Sequence, residues 1–337
     1  MKPILITIGD PNGIGPEICL KLMAKAPKTR HPVILVGDTN VLDECKEILK
    51  INKTIKCGIY ADSVPFKGKL QPGKLSKAAG AASLAWVRQA TELVQAGYAA
   101  AVVTAPLCKE AVEKTLPGFQ GHTEYIGEMC GDKEPVLALV HGDWVVAHVS
   151  THVSLAEAIK KAKPERIVKV GKLLNDFLIK YKGIKKPRIG VAGINPHAGE
   201  NGLFGKEETL NIMPAVKRLR AMKINAVGPL PADVVFPQLG GKVFDGVIAM
   251  YHDQGHVVTK TLAFNLGKVR KVGGVNTTLG IPILRTSVDH GTGFDIAWQN
   301  KADPSSLRDA LLLADKISTS DPLNCICLNP DGPDYQD

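Results

Sequence analysis

Ile4-Leu5-Ile6-Thr7-Ile8-Gly9-Asp10-Pro11-Asn12-Gly13-Ile14-Gly15-Pro16 sets the pattern of the whole chain. Ile4–Ile8 is a short apolar, β-branched run of the kind that forms a buried strand. The Gly, Asp, Pro and Asn residues that follow are turn formers. Pro16 brings a fixed φ suited to the first turn of a helix, here expected to run to Ala26. Strand, tight turn and helix in that order is one βα unit. The alternation recurs, with further strands expected at Pro32–Val36, Ala100–Val103, Val145–Val149, Arg188–Val191, Gly246–Met250 and near Cys325–Leu328. Helical periodicity falls between them, at Thr39–Leu49, Ser76–Gln95, Pro164–Tyr181, Lys206–Met222 and Ser305–Ile317. Such alternation predicts an α/β protein with largely parallel sheets and flanking helices. A length of 337 residues suits two lobes better than one. With no internal repeat and no flexible linker, the lobe boundaries are not legible, and residues 1–337 read as one unit made of two α/β lobes.

Composition narrows the function. Hydrophobic residues are 45% and charged residues 22% of the chain, a balance that excludes a disordered protein. No apolar run approaches the ~20 residues of a membrane helix. The N-terminal apolar stretch is too short for a secretory core and has no small-residue cleavage site after it, so a soluble, unexported, cytoplasmic protein is expected. The seven cysteines lack CxxC spacing, which argues against a disulfide framework and for a reducing compartment. The net charge of +9 raises the question of nucleic acid. The basic residues are not interleaved with aromatics, which are only 5% of the chain, and the Lys160–Arg188 stretch reads as a solvated helix face. No nucleic-acid and no membrane partner is expected. The charge suits a small anionic substrate.

In α/β folds ligands bind beyond the carboxyl ends of the strands. The segments there are polar and glycine-rich: Gly9–Pro16, Thr104-Ala105-Pro106, Ser150-Thr151-His152, Asn195-Pro196-His197-Ala198-Gly199-Glu200 and Tyr251-His252-Asp253-Gln254-Gly255. His152, His197 and His252 each follow a strand end, so three imidazoles can converge on one rim. Three imidazoles plus an open position describe a catalytic metal site. Imidazole suits zinc, cobalt, nickel or iron, whereas magnesium prefers oxygen ligands. His31, His141 and His148 lack such surroundings and read as structural. Gly9–Gly15 matches neither the dinucleotide nor the P-loop glycine pattern. Gly121-His122-Thr123-Glu124 opens a helical stretch where amides, a hydroxyl and an imidazole can meet an anion, or where Thr123 caps the helix. The segment from Gly274 to Thr292 is polar where a strand would be apolar. Within it Arg285 offers a planar fork for phosphate or carboxylate, and Lys260, eight residues after His252, offers a point charge.

Taken in order, Gly9-Asp-Pro-Asn-Gly-Ile-Gly-Pro-Glu17, Gly121-His-Thr-Glu124, Thr151-His152, Asn195-Pro-His-Ala-Gly-Glu200, Pro229-Leu-Pro-Ala-Asp233, Met250-Tyr-His-Asp-Gln-Gly255 and Arg285-Thr-Ser-Val-Asp-His-Gly-Thr292 resemble the PdxA family, over almost the whole chain. That family comprises the 4-hydroxythreonine-4-phosphate dehydrogenases of pyridoxal phosphate (vitamin B6) biosynthesis and their paralogues. The resemblance implies a two-lobed fold like isopropylmalate and isocitrate dehydrogenases, with a cleft between the lobes. It implies His152, His197 and His252 as ligands of one divalent metal (Zn, Co or Mg), and His122, Thr123, Lys260, Asn276 and Arg285 as substrate contacts. It places Asp233 near the reacting centre, so Asp233 and His122 are the candidate bases. His290, Gly291 and Asp295 fall in what looks like the adenosine-side loop, which implies NAD or NADP. The family is homodimeric, with the active site near the subunit interface. The implied reaction is oxidation of the secondary hydroxyl of 4-phosphooxy-L-threonine, with decarboxylation to 3-amino-2-oxopropyl phosphate.

Two segments depart from the family pattern. The stretch between Lys260 and Asn276 is longer than usual and basic, with Lys268, Arg270 and Lys271; across residues 265–274 the expectation is a flap at the cleft mouth or a longer surface loop remote from it. Asn201-Gly-Leu-Phe-Gly205 and Phe294-Asp-Ile-Ala-Trp298 look more like paralogues that oxidise D-threonate or D-erythronate 4-phosphate. The rivals from other classes are a three-histidine metal hydrolase, which the absence of H-x-H and H-E-x-x-H spacing disfavours, and a non-catalytic anion- or metal-binding protein.

Overall fold

A computed structural model of the chain describes every residue except 54, 56, 61, 62, 133, 264–273 and 321–337. In chain order the elements are β1 (Ile4–Thr7), α1 (Gly15–Ala24), β2 (Val33–Val36), α2 (Thr39–Ile48), β3 (Gly58–Ile59), α3 (Lys77–Gln95), β4 (Ala101–Thr104), α4 (Lys109–Glu113) and α5 (His122–Met129). Then come β5 (Val136–His141), β6 (Trp144–His148), α6 (Leu155–Lys161), α7 (Pro164–Lys182), β7 (Arg188–Ala192), α8 (Met213–Ala221), β8 (Asn225–Leu230), α9 (Ala232–Gly240), β9 (Gly246–Ala249) and α10 (His252–Ala263). The last are β10 (Val275–Leu279), β11 (Arg285–Val288) and α11 (Ser305–Ser320). The chain divides into two compact units, the first built from residues 1–133, 274–276 and 281–320 and the second from 134–263 and 277–280. The expected strand near Cys325–Leu328 and the expected flap, apart from Gly274, lie outside the described residues.

In the first unit the strand order is β3-β2-β1-β4-β11, and every pair in it is parallel. Strands β1 and β4 are buried along their full length, as expected of parallel strands with helices on both faces. The chain runs outward from β1 to β3 and then returns to the other side at β4, so the strand order reverses between β1 and β4. That reversal is where an α/β sheet opens a crevice. Thr7 pairs with Thr104, and Thr104 with Ser287, which places a row of hydroxyls across the carboxyl ends. The turn after β1 requires glycine at 15, because a Cβ there would collide with the carbonyl oxygen of Ile8. Side chains cap two helices: Asp38 accepts from the Asn40 amide (2.8 Å) for α2, and Ser76 from the Ala79 amide (3.4 Å) for α3. Helix α11 is tied down by Asp315, whose carboxylate accepts from the amides of Arg30 and His31 and from His31 Nδ1 (2.9 Å). Burial opposes ionisation of Asp315, but those donors outweigh it and hold its pKa below the usual range. His31 therefore has the structural role expected of it.

In the second unit the order is β5-β6-β9-β7-β8, parallel except for the β5–β6 hairpin. A core of Val146, Ala192, Val235, Phe236, Leu239, Phe244, Val247 and Ala249 packs α9 on this sheet. The helix expected over Lys206–Met222 is divided: a π turn spans Glu208–Ile212 and α8 begins only at Met213. Pro214 has no N–H to continue the preceding ladder, which explains the wider turn. The polar 274–292 segment does form strands, β10 and β11, in which the buried Thr277, Thr278 and Thr286 contribute β-branched side chains. Thr286 Oγ1 donates to the Ala310 carbonyl at 2.9 Å. Among the described residues no helix is long and apolar enough to cross a membrane.

Candidate active sites: an anion pocket and a histidine site

The first unit holds a cationic pocket centred on Arg285, at the start of β11 and 3% exposed. Its Nη1 donates to Thr123 Oγ1 at 3.0 Å and its Nη2 to Thr104 Oγ1 at 2.9 Å. Burial lowers the guanidinium pKa to about 10, against the opposing charge of Glu124, so it stays protonated at neutral pH. Thr123 is not a helix cap. Gly121 occupies that position in α5 with φ 156° and no side-chain bond, which leaves the Thr123 hydroxyl to Arg285. His122 presents an enclosed Nε2 that makes no hydrogen bond among the described residues. Burial, then the charges of Arg285 and Lys109, hold its pKa well below the usual histidine range. A neutral imidazole, a guanidinium, two hydroxyls and the first turn of α5 in one place suit a phosphate or carboxylate. Asn276 lies on β10, with its amide nitrogen near Asp289 Oδ1 (3.3 Å) and its Oδ1 buried without a partner among the described residues.

In the same unit the loop after β1 locks three others to itself. The Ile14 amide donates to the Thr292 carbonyl at 2.9 Å, and the Asp10 amide to the Pro106 carbonyl at 2.9 Å. Asn12 braces a third loop, its Oδ1 accepting from the Gln71 amide and its Nδ2 donating to the Lys74 carbonyl, both at 2.9 Å. Of the expected cofactor residues, His290 bonds the adjacent Gly291 carbonyl (3.1 Å), Gly291 has open space where a side chain would stand, and Asp295 is exposed in a 3-10 turn. Asp10 is fully buried, with one carboxyl oxygen unpartnered among the described residues. Burial drives its pKa up to about 6 against hydrogen bonds from the backbones of Asn12 and Cys108.

The second unit carries the histidines. Strands β6 and β9 are parallel neighbours, with His148 opposite Ala249, so the segments leaving them stay together. The rings of His152 and His252 accordingly lie 5.8 Å apart, bordering a cavity of about 420 Å3 that also includes Thr151, Ser154, Tyr251 and Asp253. Asp253 Oδ1 sits 2.6 Å from His252 Nδ1. A carboxylate only accepts, so Nδ1 carries the hydrogen and Nε2 keeps its lone pair for a metal. His197 does not join them: among the described residues no three His, Cys, Asp or Glu side chains form a metal-holding group in the single chain. It stands instead on an unusual turn, in which His197, Ala198, Gly199, Glu200 and Asn201 all have left-handed φ values, from 43° to 82°. Each non-glycine residue in that region costs about 1–2 kcal/mol. The other two expected residues are in helices: Lys260 in α10, and Asp233 exposed in the first turn of α9.

Sequence reading missed His256 and Gln254. His256 stacks on His252 with ring centroids 3.7 Å apart and 9° between planes, and His148 packs behind it at 4.8 Å. Burial pushes His256 down to about 2 and His148 to about 4, so both are neutral. The i, i+4 spacing of His252 and His256 was the available signal. Gln254 links two strand ends, accepting from the Met250 amide and donating to the Gly193 carbonyl, each at 2.7 Å.

An α/β scaffold with an anion pocket and a histidine site, each at strand ends, defines a metabolic enzyme of small anions. The chain belongs to the PdxA family, whose model, "Pyridoxal phosphate biosynthetic protein PdxA", matches residues 28–314. It is 40% identical to the D-threonate 4-phosphate dehydrogenase of Cupriavidus necator, covering 93% of this chain and 96% of that one. It is 39% identical to the 4-hydroxythreonine-4-phosphate dehydrogenase of a Sulfurihydrogenibium species, covering 93% and 98%. The crystal structure of the Klebsiella pneumoniae 4-hydroxythreonine-4-phosphate dehydrogenase superposes with a TM-score of 0.81 at 36% identity, over 94% of this chain and all of that one.

Proposed function

We propose that this protein is a metal- and NAD(P)-dependent dehydrogenase that oxidises a secondary hydroxyl of a four-carbon hydroxy acid phosphorylated at C4. The observation that carries the reading is the Arg285–Thr123–Thr104 arrangement with the enclosed His122 Nε2 beside it, a site prepared for a phosphate before any substrate arrives. Relatives named for two such acids support it. 4-Phosphooxy-L-threonine is the first substrate reading. D-threonate 4-phosphate is the second, favoured by the Asn201–Gly205 and Phe294–Trp298 segments.

In this reading Arg285, Thr123 and His122 hold the phosphate, converting remote binding energy into orientation of the hydroxyl. The depressed pKa of His122 makes it a poor base, so it serves as a phosphate ligand and Asp233 remains the candidate proton acceptor. His152 and His252, the latter oriented by Asp253, hold the metal together with His197 of a second copy; Lys260 and Asn276 complete the substrate contacts. Support for a homodimer comes from large apolar residues left exposed, Leu155 lining the His152–His252 cavity and Phe204 against the His197 ring. When bound, the metal would stabilise the developing alkoxide as a Lewis acid and the dinucleotide would accept the hydride. A reducing cytoplasm fits the free thiols of the cysteines among the described residues, Cys19, Cys45, Cys57, Cys108 and Cys130.

The test is NADH formation with 4-phosphooxy-L-threonine, D-threonate 4-phosphate and D-erythronate 4-phosphate side by side, with zinc, cobalt or magnesium and after chelation. One acid is expected to react, and only with metal present. No turnover with any of the three, or full turnover after chelation, overturns the reading.

A further inference from the structure

The left-handed turn that carries His197 is backed by one buried carboxylate that belongs to none of the sites above. Glu208 is 3% exposed and opens the π turn before α8. Its Oε1 accepts from the amides of Ile194 (2.7 Å) and Asn195 (2.8 Å), and its Oε2 from the Asn195 side-chain amide (2.9 Å). The same Asn195 nitrogen also reaches Glu207 Oε2 at 2.8 Å. These bonds fix the last residues before the turn. The turn in turn closes over the carboxylate: a methyl group at Gly199 would stand 2.7 Å from Glu208 Oε2, and one at Gly193 would stand 2.9 Å from the Ala198 Cα. Five successive left-handed residues persist only where their surroundings over-determine them, and here the group beneath them is a buried carboxyl that accepts three hydrogen bonds.

We propose that Glu208 is a positioning residue whose carboxylate latches the 194–201 segment and so presents His197 to the metal. The proposal rests on the metal assignment of His197, and its test separates the two. The first variant is Glu208→Gln, which keeps the shape and removes the charge while setting an NH2 against the Asn195 amide donor. Cobalt binding, read from its visible absorption, is expected to weaken about 10- to 100-fold, the usual effect of losing an outer-shell partner. Hydrogen exchange at the Ile194 and Asn195 amides is expected to speed up at least tenfold, with protection in β9 unchanged. Should that variant not fold, Gly199→Ala keeps the carboxylate but displaces it, and the same two losses are expected. Parental cobalt affinity together with parental exchange in the folded variant overturns the proposal. If the parent protein itself binds no cobalt, the metal reading falls, and exchange at 194 and 195 alone decides whether Glu208 is the latch.

Discussion

The anion pocket of the first unit joins Arg285 from the start of β11 to Thr104 at the carboxyl end of β4, whereas the histidine site of the second follows the carboxyl ends of β6 and β9, and the two are completed to different degrees. Arg285 is buried and already bonded to Thr104 and Thr123, so the pocket is assembled within one chain. The histidine site brings His152 to His252 across the cavity, with His256 stacked on His252, and leaves His197 on an exposed, strained turn. Fixed charge can be held by rigid strands, because phosphate geometry is met by a planar guanidinium and hydroxyls. A metal needs three donors around one point, and here a shared arrangement between copies is the proposed source of the third.

The largest test of that contrast is complementation. His197→Ala and His252→Ala are each expected to lose on the order of 10³-fold in kcat. Mixed and allowed to exchange subunits, they should recover about a quarter of parental activity, because a mixed dimer keeps one intact shared site. No recovery would mean that His197 serves the metal of its own chain, and the contrast breaks.

Arg285→Ala probes the other side. Losing a desolvated, charge-assisted contact should raise KM for the phosphorylated acid by about 2–4 kcal/mol, with dinucleotide affinity unchanged in titration calorimetry. An equal loss for the dinucleotide would move Arg285 out of a phosphate site.

Asp10 tests how strictly the first unit is satisfied. Its folded pKa of about 6 lies above the unfolded carboxyl value, so stability falls as pH rises through that interval and the ionised group is destabilising at neutral pH. Asp10→Asn should therefore stabilise the fold by about 1–3 kcal/mol at pH 7.5 in denaturant unfolding. The gain should shrink between pH 6 and 4, where the parent takes up its own proton. A gain independent of pH would show that burial of the charge is not its source.

The smallest expected effect sharpens the strain in the second unit. Ala198, at φ 52°, replaced by glycine should raise stability by about 0.5–1 kcal/mol, since glycine removes the Cβ penalty and returns part of it as chain entropy. A loss in thermal unfolding would place the strain elsewhere.

Much of this molecule is written locally. The βα units, the helix starting near Pro16, the strand ends and the polar segments after them follow from short-range apolar runs and turn residues, and the seven motifs identify the family. Arg285 stood out by residue type as a fork for phosphate or carboxylate, whereas Thr123 read equally as an anion contact or a helix cap. Other features depend on chain segments far apart. The first unit takes residues from both ends of the chain, so no composition boundary marks it. The buried threonines of β10 and β11 read as polar where a strand would be apolar, because a hydroxyl partner can be distant in the chain, as with Thr286 and Ala310. Glu208 looks like any acidic residue in a helical stretch, and only the fold brings its carboxylate under Ile194 and Asn195. The sequence by itself determined the α/β alternation, the family and the chemical types at the strand ends, because those depend on neighbours in the chain. Only the tertiary structure decided that Arg285 meets Thr104 and Thr123, that His152 meets His252, and that His197 stands on a left-handed turn, because packing brings together residues that are far apart in the chain.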